Sequence, residues 1–166
     1  MPAGSTYTPI ATTTGNGSSA TITFSSIPST YTDLILVLAG ETSTQSDYSY
    51  RLNSDSGTNY SRTVLIGNGT SATSSRDSNQ AQGYLNVNTP SAGTYSFQIQ
   101  MQLQNYANTS VNRTILVRSS YSNREFYGEV HLWRNTSTAI NSIAITRSSG
   151  SFATSTTATL YGLAAA

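Results

Sequence analysis

"YSFQIQMQLQ", Tyr95 to Gln104, is the stretch whose reading decides the fold class. Phe97, Ile99, Met101 and Leu103 alternate with Gln98, Gln100, Gln102 and Gln104. A period of two sends successive side chains to opposite faces of a strand, so one face is apolar and the other is a row of amides. The same kind of signal recurs along the chain as short runs of β-branched and aromatic residues, separated by clusters of Gly, Asn, Ser and Pro. Helical periodicity is hard to find.

Further strands are expected over 20–24, 33–39, 48–53, 61–66, 83–87, 113–119, 127–134, 140–146 and 157–163. Gly15-Asn16-Gly17, Ser56-Gly57, Gly67-Asn68-Gly69 and Ser149-Gly150 supply turn residues that tolerate positive φ. Short strands at such spacing predict an all-β, single-domain, jelly-roll-like antiparallel β-sandwich of about eight to ten strands. Residues 1–19 read as an N-terminal arm or edge segment and 20–166 as the sandwich domain. Tyr7, Pro9 and Ile10 give the arm a small apolar anchor with which to add a strand at a sheet edge. "GNGTSATSSRDSNQAQ", from Gly67 to Gln82, is almost free of apolar side chains and reads as an exposed loop.

Composition narrows the function. The chain has 166 residues, enough for one core, yet only 9% are charged, and Ser and Thr make up about a third. Eleven Tyr, four Phe and one Trp provide core material and argue against disorder. The net charge is +1, and all eight basic residues are scattered arginines, which speaks against nucleic acid as a partner. There is no cysteine, hence neither a disulfide framework nor a thiolate metal site. The N-terminus has neither the basic nor the apolar region of an export signal, so a soluble protein without a recognisable export signal is expected.

Leu34 to Ala39, "LILVLA", is the most apolar run. Six residues fall far short of the roughly 20 of a spanning helix, so no membrane is expected as a partner. The run reads as a central strand covered on both faces. Leu34, Leu36 and Leu38, with Tyr7 and Ile10, are therefore assembly candidates, one apolar face being left for a neighbouring copy.

Catalytic motifs are sparse. His131 is the sole histidine, and no Gly-x-Ser-x-Gly elbow occurs. Strand alternation puts Glu129, His131 and Trp133 on one face, where a carboxylate could orient an imidazole as a general base. With no nucleophile to name, a polar or interface-facing strand face explains them better. Asn53 to Asn59 alternates oxygen ligands as calcium loops do, but an EF-hand loop starting at Asn53 would need a glutamate where Val64 stands, and a turn explains the same residues. No spacing selects a carboxylate pair for glycoside hydrolysis. No enzyme, metal or cofactor is expected. Tyr, Ser, Asn and Gly make adaptable recognition surfaces, and Tyr60, Arg76, Asp77, Asn79 and Tyr84 are the surface-recognition candidates.

Three stretches carry a family likeness: "YTPIATTT" followed by "SSATITFSSIPSTYTDLILVLAG"; "RLNSDSGTNYSRTVLIGNG"; and "HLWRNTSTAINSIAITRSSGSFATSTTATLYGLAAA". They resemble small β-rich virion proteins of tailed bacteriophages, through Phe24, Ile27, Pro28, Asp33-Leu34, Arg51-Leu52-Asn53, Gly57, Tyr60, Trp133-Arg134, Gly150, Phe152 and Leu160-Tyr161-Gly162. The resemblance implies a non-enzymatic structural protein on the virion surface that decorates and stabilises the capsid. It also implies self-association, as a homotrimer, and contact with the major capsid protein or another virion protein. The alternative it leaves open is a tail or head fibre module that binds a host-surface glycan.

Overall fold

The computed structural model describes residues 6–87, 94–122 and 124–164. Among them run twelve strands: β1 (Tyr7–Thr14), β2 (Thr21–Phe24), β3 (Asp33–Thr42), β4 (Tyr48–Leu52), β5 (Tyr60–Gly67), β6 (Ala72–Gln80), β7 (Gly83–Leu85), β8 (Tyr95–Leu103), β9 (Arg113–Tyr121), β10 (Glu125–Trp133), β11 (Ile143–Arg147) and β12 (Thr157–Leu163). They form a jelly-roll-like antiparallel β-sandwich. One sheet has eight strands in the order β1-β12-β3-β8-β9-β10-β5-β6, and the other has four in the order β2-β11-β4-β7.

All ten strands expected from alternation are present. The two additions, β1 and β6, are the edge strands of the large sheet. β6 lies inside the segment read as a loop: Ala72 to Gln80 pairs antiparallel with β5, matching Leu65 to Ser74 and Thr63 to Arg76. Its nine residues are exposed or partly so, because it is an edge strand with no apolar face to bury. Hydrogen bonding to β5, rather than hydrophobic pattern, makes it a strand. β1 is the other edge of the large sheet and pairs with β12 of its own chain, with a register shift between Pro9 and Ala11. Pro9 suits an edge, where a missing N–H is tolerated.

The core lies between the two sheets. Phe97, Ile99, Met101 and Leu103 are buried on the inner face of β8, and meet Ile22, Phe24, Tyr48, Tyr50, Leu52, Ile143 and Ile145 from the small sheet. Leu34, Leu36 and Leu38 are fully buried in the same core. Their reading as an assembly surface is therefore corrected: the apolar contacts are made within one chain. On the opposite side of β3, Ile35 is also buried, lying between Tyr161 of β12 and Gln102 of β8 in the cross-strand row. Toward the end of that face the side chains shrink to an exposed Ala39.

Several positions of the family-like pattern have plain packing reasons. Gly162 lies against the Tyr31 ring, which would stand 2.3 Å from an added Cβ. The Pro28 carbonyl accepts the Tyr106 hydroxyl. Asn53, at φ 52, accepts the Asn141 and Ser142 amides and donates to the Ala139 carbonyl, fastening the turn after β4 to the loop before β11.

Leu36→Ala is expected to lower stability by about 3 kcal/mol in chemical denaturation. The mass of the folded protein in solution should stay that of wild type. Altered mass with full stability would return Leu36 to an assembly role.

Candidate functional site

The titratable cluster with most chemistry sits where β10 crosses under β4 and β7. Alternation brings Glu129, His131 and Trp133 to one face, but that face points into the core, and all three are buried. This corrects the expectation of a polar or interface-facing strand face. Val130, on the other face, is the exposed one.

The buried polar groups are satisfied by strands far away in sequence. The Glu129 carboxylate accepts the Asn86 amide N–H at 3.0 Å, the Asn86 side-chain amide at 3.4 Å, Arg62 at 3.3 Å and His131 Nε2 at 3.0 Å. Nε2 facing a carboxylate is the protonated nitrogen, so Nδ1 accepts the Tyr50 hydroxyl at 2.9 Å. Arg62 continues outward to Asp77 at 2.7 Å and to the Tyr84 carbonyl at 3.0 Å. The result is a chain of contacts, Tyr50 to His131 to Glu129 to Arg62 to Asp77, tying β4, β10, β5 and β6 together.

This arrangement holds protons in place rather than moving them. The hydroxyl on His131 is the Tyr50 phenol, which burial pushes well above its ordinary value, with Tyr60 and the Glu129 charge adding to the effect. Such a phenol keeps its proton and is no nucleophile. Gly83 of β7 lies flat on the Tyr50 ring, which would stand 2.1 Å from an added Cβ. No side chain larger than hydrogen fits there, and the backbone of β7 closes the cluster over.

The surface-recognition candidates separate into two groups. Tyr60 is buried: its hydroxyl accepts the Leu52 amide at 3.0 Å, and burial pushes the phenol up to about 12. Its reading as a surface residue is corrected, since an aromatic beginning β5 faces the core stack of Tyr50 and Trp133. Asp77 and Tyr84 meet at Arg62, where the β6 edge approaches β7, whereas Arg76, the neighbour of Asp77 on β6 and the register partner of Thr63, faces the other side of the large sheet. Tyr84 is exposed, with the Arg62 guanidinium 5.7 Å from its ring centre, and Asn79 accepts Arg134 at 2.9 Å. Of the other assembly candidates, Tyr7 is exposed on β1 with its ring edge-on to Tyr161, and Ile10 packs partly buried against the core.

The calcium-like loop turns its oxygens inward. Asp55 accepts Gly57 N–H, the Asn59 side-chain amide and Trp133 Nε1, each at 2.8 Å. Burial pushes the Asp55 carboxyl up, but these donors, with Asn135, outweigh it and leave it below its ordinary 3.8. Among the described residues no group of three or more His, Cys, Asp or Glu is placed to hold a metal.

Sequence reasoning missed Tyr50, Arg62 and Asn86 as members of the cluster, and two buried arginines. Arg113 stacks over Trp133 at 5.1 Å and donates to the Asn135 and Thr138 carbonyls. Arg147 donates to the Thr42 hydroxyl at 2.7 Å and to the Ser151 carbonyl at 2.5 Å. Its guanidinium lies 5.5 Å from the Tyr48 ring. The one available signal was an arginine at an inward position of a strand.

No protein-family model matches the sequence, and no curated protein matches it. Among solved structures, a tetrameric galectin from the ball sponge Cinachyrella sp. aligns over 86% of this chain and 99% of its own, with TM-score 0.31 and 8% identity. The PL-14 alginate lyase from Aplysia kurodai aligns over 84% of this chain and 72% of its own, with TM-score 0.32 and 8% identity. Likenesses this slight carry nothing about activity.

Two outcomes are expected. Glu129→Ala leaves the buried His131 Nε2 without its partner and takes one of three partners from Arg62, and should cost about 3–5 kcal/mol by denaturation, whereas Glu129→Gln, which keeps the shape, should cost less. For Asp55, the unfolded chain binds the proton first, because the folded carboxyl lies lower. Its stabilisation is full above about pH 4 and drains away as pH falls through the folded value. Acid unfolding curves of wild type and Asp55→Asn should therefore converge at low pH, and parallel curves would contradict this account.

Proposed function

We propose that the chain is a non-enzymatic structural protein of a tailed-bacteriophage virion, decorating and stabilising the capsid surface as a homotrimer. It is made in the host cytoplasm and ends on the virion surface, in contact with the major capsid protein. The observation that carries this reading is what the family-like positions do. Phe24, Ile27, Leu34, Leu52, Tyr60, Trp133, Phe152 and Leu160 are core side chains, and Gly57, Gly150 and Asn53 occupy turns. A pattern spent on packing and turns belongs to a scaffold. The Glu129–His131 pair supports the same reading, since its polar atoms are taken up by protein partners.

A second reading, a tail or head fibre module that binds host-surface glycans, draws on the β6–β7 edge. There Tyr84 offers a ring face beside Arg62 and Asp77, with Asn79 on the same β6 edge. An aromatic flanked by hydrogen-bonding groups suits a hydroxyl-rich ligand.

Copy number separates the two. Gel densitometry of purified particles should give hundreds of copies for decoration, against a few tens or fewer for a fibre. A particle map placing the chain only on the tail would overturn the capsid reading.

A further inference from the structure

The outer face of the eight-stranded sheet, turned away from the small sheet, is apolar in one place. Strand register sets Thr63, Val130, Leu116 and Gln102 side by side across β5, β10, β9 and β8. The next row holds Leu65, Gly128, Arg118 and Gln100, and the one after it Gly67, Phe126, Ser120 and Gln98. Leu65, Leu116, Phe126 and Val130 thus gather around Gly128. They are four of the seven large apolar side chains that stand exposed among the described residues, at 54%, 40%, 51% and 45%. The Phe126 ring leans over the bare Gly128 backbone, 3.4 Å from where a Cβ would be, and turns its other side to solvent. A contiguous apolar area on three adjacent strands, rimmed by polar residues, marks an interaction site.

Charge decides what covers it. Arg118 of β9 and Arg76 of β6 flank the patch on opposite sides, both exposed, and neither guanidinium has a hydrogen-bond or ion-pair partner among the described residues. The carboxylates of this face, Asp33 and Glu41, both lie on β3, beyond β8. Packing the patch on a second copy would desolvate both arginines of each chain with no carboxylate in the contact. A bilayer fits poorly too: the four apolar side chains project from the sheet face to the same level as the polar side chains of β6 and β8 on either side, whereas interfacial anchoring buries an apolar surface about 5–10 Å deep. The depression beside Phe126, lined by Gln98, Gln100, Arg118 and Ser120, measures about 180 Å³. That is below the roughly 300 Å³ at which small-molecule pockets begin.

We propose that this face is the docking surface for a partner protein that presents carboxylates among apolar side chains. The identity of the partner rests on the virion reading: it is the capsid shell. Leu116, Val130, Phe126 and Leu65 supply the dry centre of the contact, and Arg118 and Arg76 take the partner's carboxylates at its rim.

The test uses tailed-phage particles assembled without this chain, mixed with purified protein and then sedimented. Wild type is expected to bind, while Phe126→Asp and Arg118→Glu bind at least tenfold fewer copies. Thr23→Asp, on the exposed side of the small sheet, should bind as wild type does. Leu116→Glu replaces Phe126→Asp if thermal unfolding shows that the latter fails to fold. Binding by wild type and both face variants alike overturns this inference and leaves the virion reading standing. Failure of wild type to bind overturns both. Flotation with phosphatidylserine vesicles, if it were abolished by the same variants, would put a lipid surface in the partner's place and overturn the inference as well.

Discussion

The Glu129 carboxylate is the group on which the middle of this sandwich depends. A buried carboxylate is costly unless its lone pairs are filled. Here the donors come from Asn86 just past β7, Arg62 on β5 and His131 on its own strand. Each donor belongs to a different part of the chain, so satisfying one charge fixes three segments against each other. Arg62 is held in turn by Asp77, which brings in β6, and His131 is held by Tyr50, which brings in the small sheet. The polar chain specifies which strands meet, while the surrounding leucines and aromatics stabilise the meeting.

That network has a consequence on the other side of the same strand. Because Glu129, His131 and Trp133 are anchored inward, alternation forces Val130, Gly128 and Phe126 outward with no freedom to slip. A one-residue shift would bury the apolar set and expose the ions. The outer face is thus held in register by the buried charges beneath it. The apolar patch there is the back of a strand whose front is fully committed.

Strands with one apolar face were legible in the sequence, and β8 is the clearest, since Phe97 to Leu103 alternate without interruption. β6 was illegible because Ala72 to Gln80 has no apolar side chain beyond the Ala72 methyl, and only its pairing with β5 makes it a strand. The burial of Leu34, Leu36 and Leu38 was legible, but where they are buried was not. A run apolar on both faces looks the same whether its second side meets another copy or, as Ile35 does, neighbours in its own sheet. The Glu129–His131 pairing followed from spacing. Its inward direction did not, because the donors that make a buried carboxylate tolerable lie tens of residues away, on β5 and just past β7.

With 9% charged residues, this chain has few charges to spend, and four of its eight arginines serve the fold. Arg62 supports Glu129. Arg113 and Arg147 clamp loop carbonyls while lying against Trp133 and Tyr48, and Arg134 ties Thr58, Ser61 and Asn79 together. Carbonyls can satisfy a guanidinium's donors without a carboxylate, which is how a chain poor in acids keeps cations inside. Arg76 and Arg118 have no such duty. Removing either takes nothing from the core, so the fold gives no reason for a charge at either place. Flanking the same exposed apolar patch, they make sense as charges kept for something outside the chain.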